Sequence, residues 1–188
     1  MFQLLLEDGD YEGARMLLTD AMGQASRRDG IEARIVLARS LLRQGQIQAA
    51  AESLQAARDL LGDSVDAGLL PPLHAVSGEL AYEMGSAADA RQHFRAAAAF
   101  LTEELEDPDG ALARADLGML DAEEGRYDTG RESIRRTLET ARRMGHISLE
   151  ARCRLYLARV ALLEGKESDA LAELEMVPPD DPERAIDR

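Results

Sequence analysis

Residues 162–171, "LLEGKESDAL", hold the only lysine of the chain, and their reading decides the fold. Gly165-Lys166 with Ser168 close behind has the look of a phosphate-binding loop. The pattern GxxxxGK[ST] asks for glycine at 160 and for serine or threonine at 167; those positions hold Val160 and Glu167. It also asks for a strand before the loop, where the apolar spacing here is helical. The alternative is that Gly165 ends one helix and turns the chain into the next.

Working outward from Gly165 supports the turn. Five segments share one shape: "EDGDYEGARMLL", "RQGQIQAAAESL", "EMGSAADARQHF", "EEGRYDTGRESI" and "LEGKESDALAEL". Their glycines are Gly9, Gly45, Gly85, Gly125 and Gly165, so after the first interval they recur with a constant period. Five residues after each stands a small residue: Ala14, Ala50, Ala90, Gly130 or Ala170. Nine after it stands a large apolar one: Leu18, Leu54, Phe94, Ile134 or Leu174. Twelve after it come Ala21, Ala57, Ala97, Thr137 and Val177. Seven before the last four glycines lie Ala38, Gly78, Gly118 and Ala158, preceded by Leu37, Leu117 or Leu157, with Ser77 as the exception.

These offsets follow the three-to-four spacing of one helix face. Each unit is therefore a helix A, a glycine turn and a helix B. Small residues let the two helices approach, and the large apolar residue fills the space between them. A lone hairpin cannot bury its apolar face, so the units stack. The spacing predicts helices over 1–8 and 11–27, 31–44 and 47–61, 71–84 and 87–105, 110–124 and 127–144, and 148–164 and 167–177. Pro71-Pro72 suits a helix start, "EDPDG" (106–110) reads as a turn, and Gly145 closes the fourth pair. The expected organisation is one repeat domain over 1–177, in units of about 1–27, 31–61, 71–105, 110–144 and 148–177, with a tail at 178–188 that is frayed or partly helical.

Composition narrows the function. The formal net charge is −14, which repels phosphate backbones and anionic membranes, so neither nucleic acid nor membrane is an expected partner. One cysteine, Cys153, excludes an intrachain disulfide and fits a reducing compartment, so a cytoplasmic location is expected. Basic residues are almost all arginine and asparagine is absent, a bias that fits a GC-rich bacterial genome. No cofactor or metal site is expected. Gly110 falls too early, and Pro108 intervenes, for a calcium loop in "EDPDGALARADLG". His74, His93 and His146 lack the i, i+4 spacing of a helical zinc site. Cys153 reads as a packed thiol, since the flanking Arg152 and Arg154 face other ways on a helix.

The in-phase pattern resembles the tetratricopeptide repeat family over nearly the whole chain. Its long period resembles the longer-repeat members found in kinesin light chains and bacterial signalling regulators. The family's aromatic near the start of helix A is replaced by Arg34, His74, Arg114 and Arg154. The resemblance implies an all-α fold, a right-handed α-solenoid of about five antiparallel hairpins. It also implies a concave groove lined from the A helices, at positions −13, −10, −6, −3 and −2 counted from each glycine. Those positions bring forward Arg39, Arg43, Glu79, Tyr82, Met119, Glu123, Arg152 and Arg159 as groove candidates. The chaperone-binding members' carboxylate clamp uses asparagine and lysine on helix A; this chain has no asparagine and its lysine lies past helix A, so that clamp is not expected.

The expected function is a protein–protein interaction scaffold with no catalysis, binding a peptide or partner helix in the groove. The alternative is a regulatory or sensor segment of a larger bacterial signalling protein or transcription regulator. The first A helix is short, with Gly9 close to the start of the chain, which leads to the expectation of a domain from a longer protein. An uncapped solenoid end exposes apolar surface and would let two copies pair as a homodimer.

Overall fold

The computed structural model describes residues 26–63, 66–101 and 107–178. Among them the chain forms eight α-helices: α1 Arg27–Arg43, α2 Ile47–Leu61, α3 Leu70–Glu83, α4 Ala87–Ala98, α5 Pro108–Glu123, α6 Tyr127–Met144, α7 Ile147–Leu163 and α8 Glu167–Glu175. No strand occurs among the described residues. The fold class is the expected one, an all-α helical repeat. The chain divides into two compact units, Met1–Ala90 and Arg91–Arg188. The first hairpin, expected at 1–8 and 11–27, lies outside the described residues apart from its end.

The hairpin turn is the same each time. Gly45, Gly85, Gly125 and Gly165 all have φ between 71° and 83°. The residue after each glycine donates its N–H back to the carbonyl five residues earlier: Gln46 to Leu41, Ser86 to Ala81, Arg126 to Asp121 and Lys166 to Ala161, at 2.8–2.9 Å. The glycine N–H bonds the carbonyl three before it, which completes a Schellman motif. A side chain at that φ meets its own backbone, so glycine is the residue that makes the turn.

Helix starts differ from the sequence expectation where a cap lies upstream. α1 begins at Arg27 because Ser26 accepts from the Asp29 N–H while Asp29 accepts from the Ser26 N–H, a reciprocal capping box. Arg27 thus opens α1 and does not end the preceding helix. α5 begins at Pro108: Asp107 Oδ2 accepts from Gly110 N at 2.6 Å, and proline takes the first helical position, where no N–H is needed. "EDPDG" is a helix start and not only a turn. α4 stops at Ala98, short of the expected 105, where Phe100 and Leu101 N–H groups reach back only three residues and tighten the last turn.

In unit 1, α1 and α2 run antiparallel, with Arg27 Nε bonded to Leu60 O at 2.6 Å and Ser53 Oγ to Arg34 O at 2.9 Å. Ile31, Ile35 and Ala38 of α1, Leu54 and Ala57 of α2, and Leu73 and Val76 of α3 form one buried core. Ser77, the polar exception in the repeat, is buried but satisfied: it donates to Leu73 O and accepts from Arg58 Nη2.

In unit 2 the same register recurs, with Ser133 Oγ bonded to Arg114 O at 2.9 Å across α5 and α6. Here the small pair is Gly118 and Gly130. A Cβ on Gly118 would lie 2.7 Å from Gly130 O, so the two backbones touch. Ala115, Met119, Ile134, Leu138, Leu149, Cys153 and Leu157 fill the core around them. The arginines that replace the family aromatic have a structural role. Arg114 crosses to its own helix B and donates to Thr137 Oγ1 and Thr140 Oγ1. Arg154 does the same to Glu173.

Candidate partner-binding surfaces on the A helices

The residues expected in the groove fall on the A helices, and the helix period decides which of them reach the surface. Of the residues ten before the glycine, only Leu155 does. Ile35, Ala75 and Ala115 are all exposed by 3% or less and belong to the core. Leu42 and Ala122, three before it, are buried too. Met119 is likewise a core residue, 5% exposed, and offers a ligand almost no surface. The position nine before the glycine was not among those expected; it holds Val36, Asp116 and Tyr156, and the buried Val76. The positions −13, −9, −6 and −2 also make a single helix face, so this register was available from the period alone.

In unit 1 that face shows Glu32, Val36, Arg39 and Arg43 along α1. Val36 is 42% exposed, an apolar side chain on the same helix face as Arg39 and Arg43. Arg39 Nε lies 3.4 Å from Glu79 Oε1 of α3, both partly exposed. Arg43 is exposed, and Tyr82 of α3 is half-buried.

In unit 2 the face carries two polar groups of different kinds. Arg159 of α7 donates from Nη2 to Glu123 Oε1 of α5 at 2.6 Å, and its side chain keeps 53% of its exposure. One to two turns earlier, Arg152 sits 5.9 Å from the centre of the Tyr156 ring, and Tyr156 OH donates to Asp116 Oδ1 at 2.6 Å. Burial, and then the neighbouring Asp116 charge, push the Tyr156 hydroxyl well above the ordinary tyrosine value, so it stays a proton donor. Cys153 faces the core, and burial foremost pushes its thiol up to about 12. It has no thiolate character at neutral pH.

The hairpins of unit 2 are also tied by charge on their outer edges. Arg91, six after its glycine, bonds Asp121 at 2.7 Å and Glu124 at 2.9 Å, and Arg126 closes the cluster on the same two carboxylates. Arg131, at the matching position one repeat on, pairs with Glu164. Lys166 Nζ sits 3.0 Å from that same Glu164 and is half exposed, so the lysine joins a surface ion pair next to a helix turn.

Comparisons with known proteins agree with this fold. Residues 5–68 match the tetratricopeptide repeat family model. No curated protein matches the chain by sequence. Among solved structures, the fold is shared with a signal transduction ATPase with numerous domains (STAND) from Pyrococcus horikoshii that has a tetratricopeptide repeat sensor, at TM-score 0.69 and 16% identity. That match covers 93% of this chain and 29% of the other, so the chain spans less than a third of that protein. The nearly identical tetratricopeptide-like repeats of a kinesin light chain from Podospora anserina align at TM-score 0.62 and 19% identity, over 98% of this chain and 90% of that one. MamA aligns at TM-score 0.54 and 18% identity, covering 100% of this chain and 98% of that one. The tetratricopeptide repeat signature is thus matched at residues 5–68, and the described helices share the fold of solved repeat proteins.

Proposed function

We propose that this protein is a non-catalytic interaction scaffold that binds an acidic, partly apolar peptide or helix on the faces of its A helices. The observation that carries the reading is the repeat position six before the glycine. It holds Arg39 in unit 1 and Arg159 in unit 2, each a partly exposed guanidinium resting on a surface carboxylate, Glu79 or Glu123. Such an arginine can exchange its carboxylate for one on a partner with little reorganisation, and its planar fork favours a bidentate acid. Val36, Tyr82 and Leu155, all at least partly exposed, supply apolar area beside the charges. No helix among the described residues is long and apolar enough to cross a membrane. A cytoplasmic location belongs to the same proposal.

Charge reversal tests it. The Arg39→Glu/Arg159→Glu protein, checked by circular dichroism for intact helix, is expected to lose a partner that the parent chain recovers from a host extract. Equal recovery by both would remove the assignment to these faces.

One observation favours a second reading, a regulatory or sensor segment of a larger bacterial signalling protein or transcription regulator. The chain spans 29% of a neighbour whose repeats are described as a sensor. The complete reading frame tests this: a frame with no effector domain on either side removes it.

A further inference from the structure

One edge of unit 2 gathers three arginines around a single threonine. Arg114 of α5 reaches across to α6, where its Nε donates to Thr137 Oγ1 at 3.0 Å. Its Nη2 donates to Thr140 Oγ1 at 2.9 Å and to Arg136 O at 3.2 Å. All three acceptors are neutral, and Nη1 makes none of these bonds. Thr140 Oγ1 also accepts from Arg143 Nη2 at 3.3 Å, so two guanidinium groups meet at one hydroxyl oxygen. Arg136 and Arg143 lie about one helical turn to either side of Thr140, on one stripe of α6. Both are exposed, while Thr137 and Thr140 are buried.

Among the described residues, no carboxylate comes within ion-pair distance of Arg114 or Arg136. Burial foremost, and then the Arg136 and Arg143 charges, lower the pKa of the Arg114 guanidinium from its ordinary value. Like charges held this close oppose one another unless an anion joins them.

The other hairpins do not repeat the arrangement. Arg154, at the place of Arg114, is paired with Glu173 of its own helix B. Eight after the glycine, where Glu173 stands, α6 has Ser133 instead. Arg34, at the same place in α1, donates within its own helix to Gly30 O. The places of Arg136 and Arg143 hold Ala56 and Asp63 in the hairpin of α1 and α2. The repeat therefore folds without this cluster, and its arginines are not part of the shared framework.

We propose that Arg114, Arg136 and Arg143 form an anion site for a phosphate monoester, with Thr137 and Thr140 fixing the Arg114 guanidinium. A carboxylate offers two oxygens, whereas a phosphate monoester offers three and close to two negative charges at neutral pH. Guanidinium groups from two helices meet those oxygens from separate directions, and the planar fork suits phosphate. The net charge of −14 still turns away a nucleic acid, which lays many phosphates along the acidic surface; a single phosphate meets the local cluster alone. The site uses neither Arg39 nor Arg159, so it stands or falls independently of partner binding on the A helices.

Inorganic phosphate titrated into the 188-residue chain at fixed ionic strength tests this, read from the Arg114 side-chain Nε–H resonance. A saturable shift is expected, larger than acetate produces. Arg136→Gln/Arg143→Gln is expected to weaken binding about tenfold, the loss of one charged hydrogen bond or more. Arg135→Gln/Arg142→Gln removes the same charge one residue earlier, about 100° around α6, and is expected to leave the affinity unchanged. No saturation, an equal response to acetate, or an equal loss in both variants would overturn the proposal. A phosphoserine peptide that binds at least about tenfold more tightly than inorganic phosphate, with its unphosphorylated form silent, assigns the site to a phosphorylated partner. Equal affinity for the two assigns it to a small phosphorylated molecule.

Discussion

Gly118 and Gly130 show how much one missing methyl group decides. A Cβ on Gly130 would collide with Gly118 O and press on Ala122. The colliding atom is backbone and cannot swing aside. Alanine at 130 would gain roughly 1 kcal/mol of helix propensity. Overpacking costs about 1–3 kcal/mol, and here it forces α5 and α6 apart. Gly130→Ala is expected to be destabilising by up to about 2 kcal/mol in urea unfolding, against the direction of propensity. A stabilised variant would mean that the helices do not touch at this point. Both glycines were legible in the sequence as small-residue positions, because the place recurs as Ala38, Ala50, Ala158 and Ala170. Met119 was not legible as core. Its offset from Gly125 matches that of exposed arginines, and only the helices packed around α5 bury it.

At the scale of the element, the arginine six after the turn glycine ties hairpins together. Burial pushes the Asp121 carboxyl upward, but hydrogen bonds from Arg126 and Arg91 outweigh it and hold the group below its ordinary value. The bonds from Arg91 and Arg126 likewise hold Glu124 low. Both carboxylates are thus more acidic folded than unfolded. Their contribution is complete above the unfolded values, near about 4, and is lost as pH falls through the depressed folded ones. Arg91→Gln is expected to cost about 1 kcal/mol at neutral pH and to flatten the acid end of the stability curve. An acid limb as steep as the parent's would show that the cluster does not couple to folding. The hairpin itself was legible in the sequence, since the turn is a local motif that needs one glycine. The helix starts were partly missed. Asp107-Pro108 and Ser26-Arg27-Arg28-Asp29 carry capping signals in plain view, but apolar period alone sets a boundary inside the cap.

At the scale of the whole molecule, charge is the property that composition states outright. A net charge of −14 opposes polyanions at every approach. Salt screens that repulsion only beyond a Debye length of about 8 Å at physiological ionic strength. Neither duplex DNA nor single-stranded RNA is expected to be retarded by micromolar protein in a gel-shift assay at that salt. A salt-sensitive shift would point to a basic patch formed by the fold. The repeat class, the hairpin turns and the small–large–small pattern were all determined by the sequence alone. Each depends on contacts within one hairpin, and the chain states them again in every repeat. Which residues reach the surface was decided only by the tertiary structure. Moving one residue along a helix turns a side chain by about 100°, so the neighbouring hairpin buries Ile35 and leaves Val36 exposed. The exposure of Leu174, where Leu54 and Ile134 are buried, has the same cause: sequence states the pattern of a helix, and the helix beside it decides what remains at the surface.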